Sequence, residues 1–275
     1  DSLFAHQEFM STQNINNLVE LFFINYKKQK KDNIFLTSLK DTNNSFTWEK
    51  TFHSIKKLSL EIKKYANKGD RCLLISENRP EWFITDLSVM LSEAITVPAY
   101  TTYAEKDYEY IIDNCNPKLI FVSNQEQFNK VKEIIKKKSF VVKIFSFEEL
   151  NINSETYINV NKLFSNLDYQ DLNVPELTIK RNDPACIIYT SGTQGNPKGV
   201  ILSHGGILNN CDGANDILKP LLTDQTRFLT WLPLSHSYEH TVQFVQISVG
   251  AKIFYAESIE KLIKNMNDCK PQLMT

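Results

Sequence analysis

Seven short apolar runs, separated by segments of helical length, constrain the fold of this chain more than any other feature. They are 72-CLLIS-76, 95-ITVPA-99, 118-KLIFVS-123, 140-FVVKIF-145, 185-ACIIYT-190, 226-TRFLTW-231 and 251-AKIFY-255. Their apolar residues are consecutive rather than alternating, so each strand must be covered on both faces, as in a parallel sheet flanked by helices. The segments between them carry apolar residues at spacings of three and four, the helical period. The expected class is therefore α/β, doubly wound.

Upstream of these runs, Ile15, Leu18, Leu21, Phe22 and Ile24 predict an amphipathic helix over 14–28. The pair 33-NIFLTSL-39 and 45-SFTWEK-50 predicts a hairpin, and a second helix is expected over 49–67, stopped at Lys68-Gly69-Asp70. Residues 146–182 differ: they are polar and Asn-rich, with a short apolar stretch at Leu163 and Phe164. They are expected to connect two α/β halves, an N-terminal subdomain over 1–145 and the start of a second over 183–275. The final 271-PQLMT-275 reads as a strand with nothing after it, so the chain is expected to be cut short.

A formal net charge of −1 gives no long-range attraction to nucleic acid. The lysine clusters 27-KKQKK-31 and 136-KKK-138 each follow a helical segment, where cations meet the negative end of the helix dipole. They read as solvated faces, with peripheral contact to a membrane as the other use. No aromatics alternate with them to stack single-stranded bases. Cys72, Cys115, Cys186, Cys211 and Cys269 are widely separated, without ligand spacing, and read as reduced thiols of a cytoplasmic protein. No window approaches the roughly 18 apolar residues of a membrane-spanning helix.

One segment stands apart from its neighbours: 189-YTSGTQGNPKGVILSH-204. Five of the chain's eight glycines fall between Gly192 and Gly206, so the backbone there must turn tightly or approach a ligand closely. The loop follows the carboxyl end of an apolar strand, where open α/β sheets bind their ligands. Glycine amides, the hydroxyls of Thr190, Ser191 and Thr193, and the Lys198 ammonium make a concavity rich in donors, suited to a polyphosphate. It is not a Walker A loop, because Lys198 lies between Pro197 and Gly199 rather than before Ser or Thr. Nor do glycines at 192, 195 and 199 match the G-x-G-x-x-G dinucleotide spacing.

The segment resembles the phosphate-binding loop of the adenylate-forming, or AMP-binding, superfamily of acyl-CoA synthetases, peptide-synthetase adenylation domains and luciferases. A second stretch, 231-WLPLSHSYEH-240, is similar to the next motif of that superfamily in its long-chain fatty acyl-CoA synthetase form, and 69–122 is similar to the N-terminal α/β region of the same enzymes. Together the resemblance covers about residues 45–275. It implies two doubly wound halves with helices on both faces of mostly parallel sheets, from a large N-terminal domain that is incomplete here. It also implies that Thr190, Ser191, Gly192, Thr193, Gln194, Gly195 and Lys198 cradle the phosphates. Gln194 departs from the pattern, which has Thr or Ser at that position near the phosphates and metal.

By the same resemblance, His236 lies near the acyl carboxylate and the adenylate, and Glu239 orients the site. A Ser–His triad would lack its nucleophile, since no G-x-S-x-G elbow is present. Glu239 and His240 share a helix face with His236, yet make a weak metal site without a third ligand. His204 is expected to cap or pack. Glu77 and Arg79 are expected to form a capping arrangement with a surface ion pair, Trp82 and Phe83 to be core, and Tyr100 and Tyr103 to pack.

The implied activity is ATP-dependent activation of a long-chain fatty acid to acyl-AMP and then acyl-CoA, with ATP, Mg²⁺ and coenzyme A as cofactor and co-substrates, small-molecule partners and no nucleic acid. The adenine- and ribose-binding motifs and the adenylation lysine of the resembling enzymes are not found in these residues, so this chain alone is expected to be inactive. Two alternatives stay open: a fatty acyl-AMP ligase that delivers to a carrier protein, and a truncated, non-catalytic module that binds nucleotide or a partner.

Overall fold

In the computed structural model, which describes residues 11–190, 195–223 and 225–275, all seven apolar runs contribute strands. The chain runs through α1 (Leu18–Lys28), β1 (Ile34–Ser38), β2 (Ser45–Thr47), α2 (Trp48–Ile62), β3 (Arg71–Ile75), α3 (Pro80–Leu91) and β4 (Ile95–Ala99). It continues through α4 (Glu105–Cys115), β5 (Leu119–Val122), α5 (Gln125–Ile135), β6 (Lys143–Ser146), β7 (Tyr157–Asn159) and α6 (Val160–Phe164). The remaining elements are β8 (Pro184–Thr190), β9 (Lys198–Ser203), α7 (His204–Leu218), β10 (Arg227–Thr230), α8 (Ser237–Ser248), β11 (Lys252–Tyr255), α9 (Leu262–Cys269) and β12 (Leu273–Met274).

These strands make a seven-stranded sheet in the order β7-β6-β5-β3-β4-β8-β9 and a five-stranded sheet in the order β12-β10-β11-β1-β2. Pairing is parallel except for β1–β2 and β8–β9. In the larger sheet β4 lies on one side of β3 and β5 on the other, so the chain reverses direction across the sheet. Such a reversal opens a crevice at the carboxyl ends of the strands.

The sheets do not follow the sequence division at 145 and 182. The β1–β2 hairpin joins the C-terminal strands, with Leu36 opposite Ile253, while β8 and β9 complete the sheet begun by β3, with Cys186 opposite Thr96. Residues 146–182, although polar, hold β7 and α6, because Tyr157, Val160 and Phe164 are enough to dock one short strand and one helical turn on the sheet.

The two faces of β3 show why its run is apolar throughout. Leu73 and Ile75 pack toward the cluster containing α4 and α5, while Cys72 and Leu74 join the largest core with α1, α2 and α3. That core reaches the five-stranded sheet at Phe35, Ile253 and Tyr255. Its centre is aromatic: Phe35 stacks on Trp48 with ring centroids 3.7 Å apart, and Phe83 meets Phe35 edge-on at 5.3 Å. Trp82 and Phe83 are fully buried, as expected.

Local signals set the helix starts. The Asn17 side chain caps α1 by accepting from Glu20 N at 2.8 Å, so the helix begins later than its apolar spacing suggested. Its first amide, Leu18 N, donates to His204 Nδ1 at 3.1 Å, which gives His204 the capping role expected of it. Among the lysine clusters, Lys136 pairs with Glu133 and Lys138 with Asp113, and Lys31 caps the ring of Tyr26. No helix among the described residues is long and apolar enough to cross a membrane.

Candidate active site

Strand β8 carries Thr190 out of the sheet at its carboxyl end. Buried Ala185, Cys186, Ile188 and Tyr189 hold it between β4 and β9, and Thr190 is exposed. The antiparallel return on β9 places Lys198 directly opposite Thr190 and Gly199 opposite Tyr189. Two glycines make this possible. Gly195 has φ +105°, in the left-handed region that side chains rarely adopt. At Gly199 a Cβ would meet Ile187 Cγ2 and the Tyr189 ring at 3.1 Å, so a larger residue there would press on that ring. The ring is fixed further by its hydroxyl, which donates to Asn114 Oδ1 at 2.5 Å, and Tyr103 Oη donates to the Tyr189 carbonyl at 3.3 Å. Tyr100, by contrast, lines the cavity described below. Ser191, Gly192, Thr193 and Gln194 lie outside the described residues, so of the loop the structure places Thr190, Gly195 and Lys198.

The second candidate group lies at the start of α8. His236 is the N-cap residue: Tyr238 N donates to its Nδ1 at 3.2 Å, and the ring stays exposed. Glu239, in the first turn, is buried, and neither carboxylate oxygen has a hydrogen-bond partner among the described residues. Burial pushes its carboxyl above the ordinary range, and the nearby Thr275 hydroxyl pulls it partly back.

One turn on, His240 is fully buried and donates from Nε2 to Asp86 Oδ2 at 2.6 Å, while Cys186 Sγ lies 3.5 Å from its Nδ1. Gln243 Nε2 donates to the same Asp86 oxygen at 3.0 Å. Burial alone would lower the His240 imidazole, but the Asp86 carboxylate beside it raises it well above its ordinary value. The pair pins α8 to α3, and through Cys186 to the strand that bears the loop.

A cavity of about 670 Å³ opens at the carboxyl ends of strands from both sheets, lined by Ser38 at the end of β1, Ser76 after β3, Tyr100 after β4, Trp231 after β10 and Ala256 after β11. Arg79 sits in its wall. It makes no side-chain cap to α3; its guanidinium holds Glu81 at 2.7 Å, Glu77 at 3.1 Å and Glu148 at 2.6 Å. The expected side-chain cap is absent and the expected Arg79–Glu77 ion pair is present, with Glu77 and Glu148 at the surface and the Glu81 side chain fully covered. Burial would push the Glu81 carboxyl up, yet Arg79, with Asn44 and Asn161, holds it below its ordinary value.

The geometry therefore brings Thr190 and Lys198 together on one strand pair, and His236 and Glu239 together on one helix turn. The contacts of Asp86 and Cys186 were not anticipated from sequence. Asp86 carried a signal, an acid in the middle of a mostly apolar helical stretch. Among the described residues no group of three or more His, Cys, Asp or Glu is placed to hold a metal ion. A Mg²⁺ ion accompanying ATP would rely chiefly on phosphate oxygens, as this cation commonly does.

Residues 23–275 match the family described as AMP-binding enzyme, and the chain belongs to that family. It is 29% identical over 236 residues to long chain acyl-CoA synthetase 3 of Arabidopsis thaliana, covering 82% of this chain and 36% of that protein. It is 28% identical over 217 residues to fatty acyl-CoA synthetase A of Dictyostelium discoideum, covering 76% and 32%. The chain thus spans about a third of the length of these curated relatives. Among solved structures, a putative long-chain-fatty-acid CoA ligase from Rhodopseudomonas palustris superposes with a TM-score of 0.80 at 17% identity, over 95% of this chain and 63% of that one. A long-chain-fatty-acid-CoA ligase from Archaeoglobus fulgidus gives 0.77 at 19% identity, over 93% and 50%. The fold class expected from the apolar runs is the fold these structures share.

Proposed function

We propose that the protein containing this chain activates a long-chain fatty acid with ATP and transfers the acyl group to coenzyme A. The observation that carries this reading is the β8–β9 register, which sets Thr190 and Lys198 side by side at the mouth of a glycine-bearing turn. A carboxylate oxygen of the acid attacks the α-phosphorus of ATP, the bond to the β-phosphate oxygen breaks, and pyrophosphate leaves. The coenzyme A thiolate then attacks the acyl carbonyl, and AMP leaves with the bonding electrons.

The first step develops charge on the departing pyrophosphate, which preorganised donors in a cleft stabilise best. Lys198 serves as a point charge for the β- and γ-phosphates, joined by the Thr190 hydroxyl and the amides and hydroxyls of Ser191, Gly192, Thr193, Gln194 and Gly195. Mg²⁺, when bound, neutralises phosphate charge. His236, exposed at the positive end of α8, faces the acyl carboxylate and adenylate, and Glu239 orients that helix turn. A cytoplasmic site of action, with peripheral contact to a membrane that supplies the acid, fits a long-chain substrate.

The activity is proposed for the protein at the length of its relatives. The 275 residues alone are expected to bind nucleotide weakly and not to turn over. The test is product analysis by mass spectrometry after incubating the intact protein with ATP, Mg²⁺, palmitate and coenzyme A. Palmitoyl-CoA with AMP supports the proposal. Acyl-AMP that is released only to a phosphopantetheine carrier protein would replace it with the carrier-loading reading, and no consumption of ATP would leave a binding module.

A further inference from the structure

The segment 231–236, which ends in His236, is gripped from both sheets. On the five-stranded side, the Thr275 carbonyl, just past β12, accepts from Trp231 N at 2.7 Å and Leu232 N at 3.2 Å. On the seven-stranded side, Ser235 Oγ donates to the Ala99 carbonyl at the end of β4 at 3.1 Å. A third tie is Asn78, more than 150 residues away in sequence. Its Nδ2 donates to the Leu232 carbonyl at 2.7 Å, and its Oδ1 accepts from Leu234 N at 2.9 Å.

One side-chain amide therefore satisfies a carbonyl and an amide two residues apart, as a neighbouring strand would. Two such bonds fix both the height and the rotation of the backbone they hold. Asn78 has little freedom of its own, because Arg79 next to it is extended (φ −165°) and locked to buried Glu81 at the start of α3. Asn78 also lines the cavity together with Trp231, Pro233 and Ser235, so the clamp lies in the wall of the crevice.

We propose that Asn78 is a positioning residue: it sets the 231–236 segment, and with it the His236 imidazole, against the carboxyl edge of the seven-stranded sheet where the acid is activated. This rests on the function proposed above. In the intact protein, Asn78→Ala is expected to lower kcat for palmitate-dependent ATP–pyrophosphate exchange on the order of 10- to 100-fold, the scale of a small misplacement of a reacting group. The KM for ATP should move less than about twofold, since among the described residues Asn78 has no hydrogen bond to the β8–β9 turn. Asn78→Asp keeps the acceptor for Leu234 N but sets a carboxylate oxygen against the Leu232 carbonyl, and should lose at least as much as Asn78→Ala.

In the 275-residue chain, Asn78→Ala should speed amide exchange at Leu234 and shift the His236 ring resonances, while Trp231 N, held by Thr275, stays protected. Unchanged kcat in Asn78→Ala overturns the proposal. So does a parallel fall of kcat, ATP affinity and thermal midpoint, which marks general loosening. If the wild-type intact protein shows no exchange reaction, the functional reading fails by itself; the His236 resonances then decide, their displacement supporting the clamp and their constancy refuting it.

Discussion

Lys198 owes its place to register rather than to the loop alone. Opposite Thr190 in the ladder, with Gly199 beneath the Tyr189 ring, its ammonium stands at the exposed end of a strand pair that cannot slide without burying a side chain against that ring. In the intact protein, Lys198→Ala should slow adenylation on the order of 100-fold, as loss of one charge-stabilising donor does elsewhere, while thioester formation from added acyl-AMP changes little. Rapid-quench measurement of the two half-reactions separates these outcomes, and equal loss in both would count against the assigned role.

His204 makes a different residue-level prediction. Burial holds its imidazole down at about 4, below the ordinary 6.5, although Asp183 and Asp86 pull it partly back. The unfolded chain therefore takes up a proton first as pH falls. The stability this neutral histidine contributes is present above about pH 6.5 and is lost as pH falls toward 4. Urea unfolding between those values should show wild type losing a few kcal/mol more than His204→Asn, whose amide oxygen can still accept from Leu18 N. Identical slopes would show that His204 titrates normally.

Among the elements, α3 and α8 meet through the buried Asp86–His240 pair, with side chains fully covered on both partners. Without Asp86, burial drives the His240 imidazole neutral, and its ring N–H and the Gln243 amide lose their acceptor, so Asp86→Ala should destabilise the chain by about 1–3 kcal/mol in chemical denaturation. A loss under about 1 kcal/mol would mean that water or Gln243 replaces the carboxylate without cost.

What could be read from the sequence at this scale follows from how local each signal was. The runs at 72–76, 118–123 and 185–190 declared buried strands because their central positions were consecutively apolar. The loop's glycines, hydroxyls and lysine stood out as a candidate phosphate loop because they are adjacent in the chain, and β8–β9 pairing sets two of them, Thr190 and Lys198, opposite each other. Strand β7 and helix α6 were hidden because three buried side chains in a polar stretch suffice to dock them. Asn78 was hidden because its partners, Leu232 and Leu234, are brought to it only by the folded arrangement of the two sheets. Arg79 looked like a surface residue for the same reason: the contacts that cover Glu81 come from Asn44 and Asn161, far away in the chain.

For the whole molecule, the two sheets share one core and open a common cavity at their carboxyl ends, although each draws strands from both parts of the sequence. The β1–β2 hairpin is thus as much a part of the C-terminal sheet as β10 and β11 are. With about a third of its relatives' length, the 275-residue chain is expected to release no pyrophosphate from ATP, Mg²⁺ and palmitate on its own. Steady turnover by it in a pyrophosphate-release assay would overturn that expectation.

The most direct test is isotope exchange between pyrophosphate and ATP catalysed by the intact protein, measured with and without palmitate. Exchange that requires the fatty acid, does not require coenzyme A and falls with Lys198→Ala is the expected result, because acyl-AMP formation is reversible at the phosphate loop. Exchange that proceeds equally without the acid, or no exchange despite tight ATP binding, would contradict the assignment of this site to activation of a carboxylic acid.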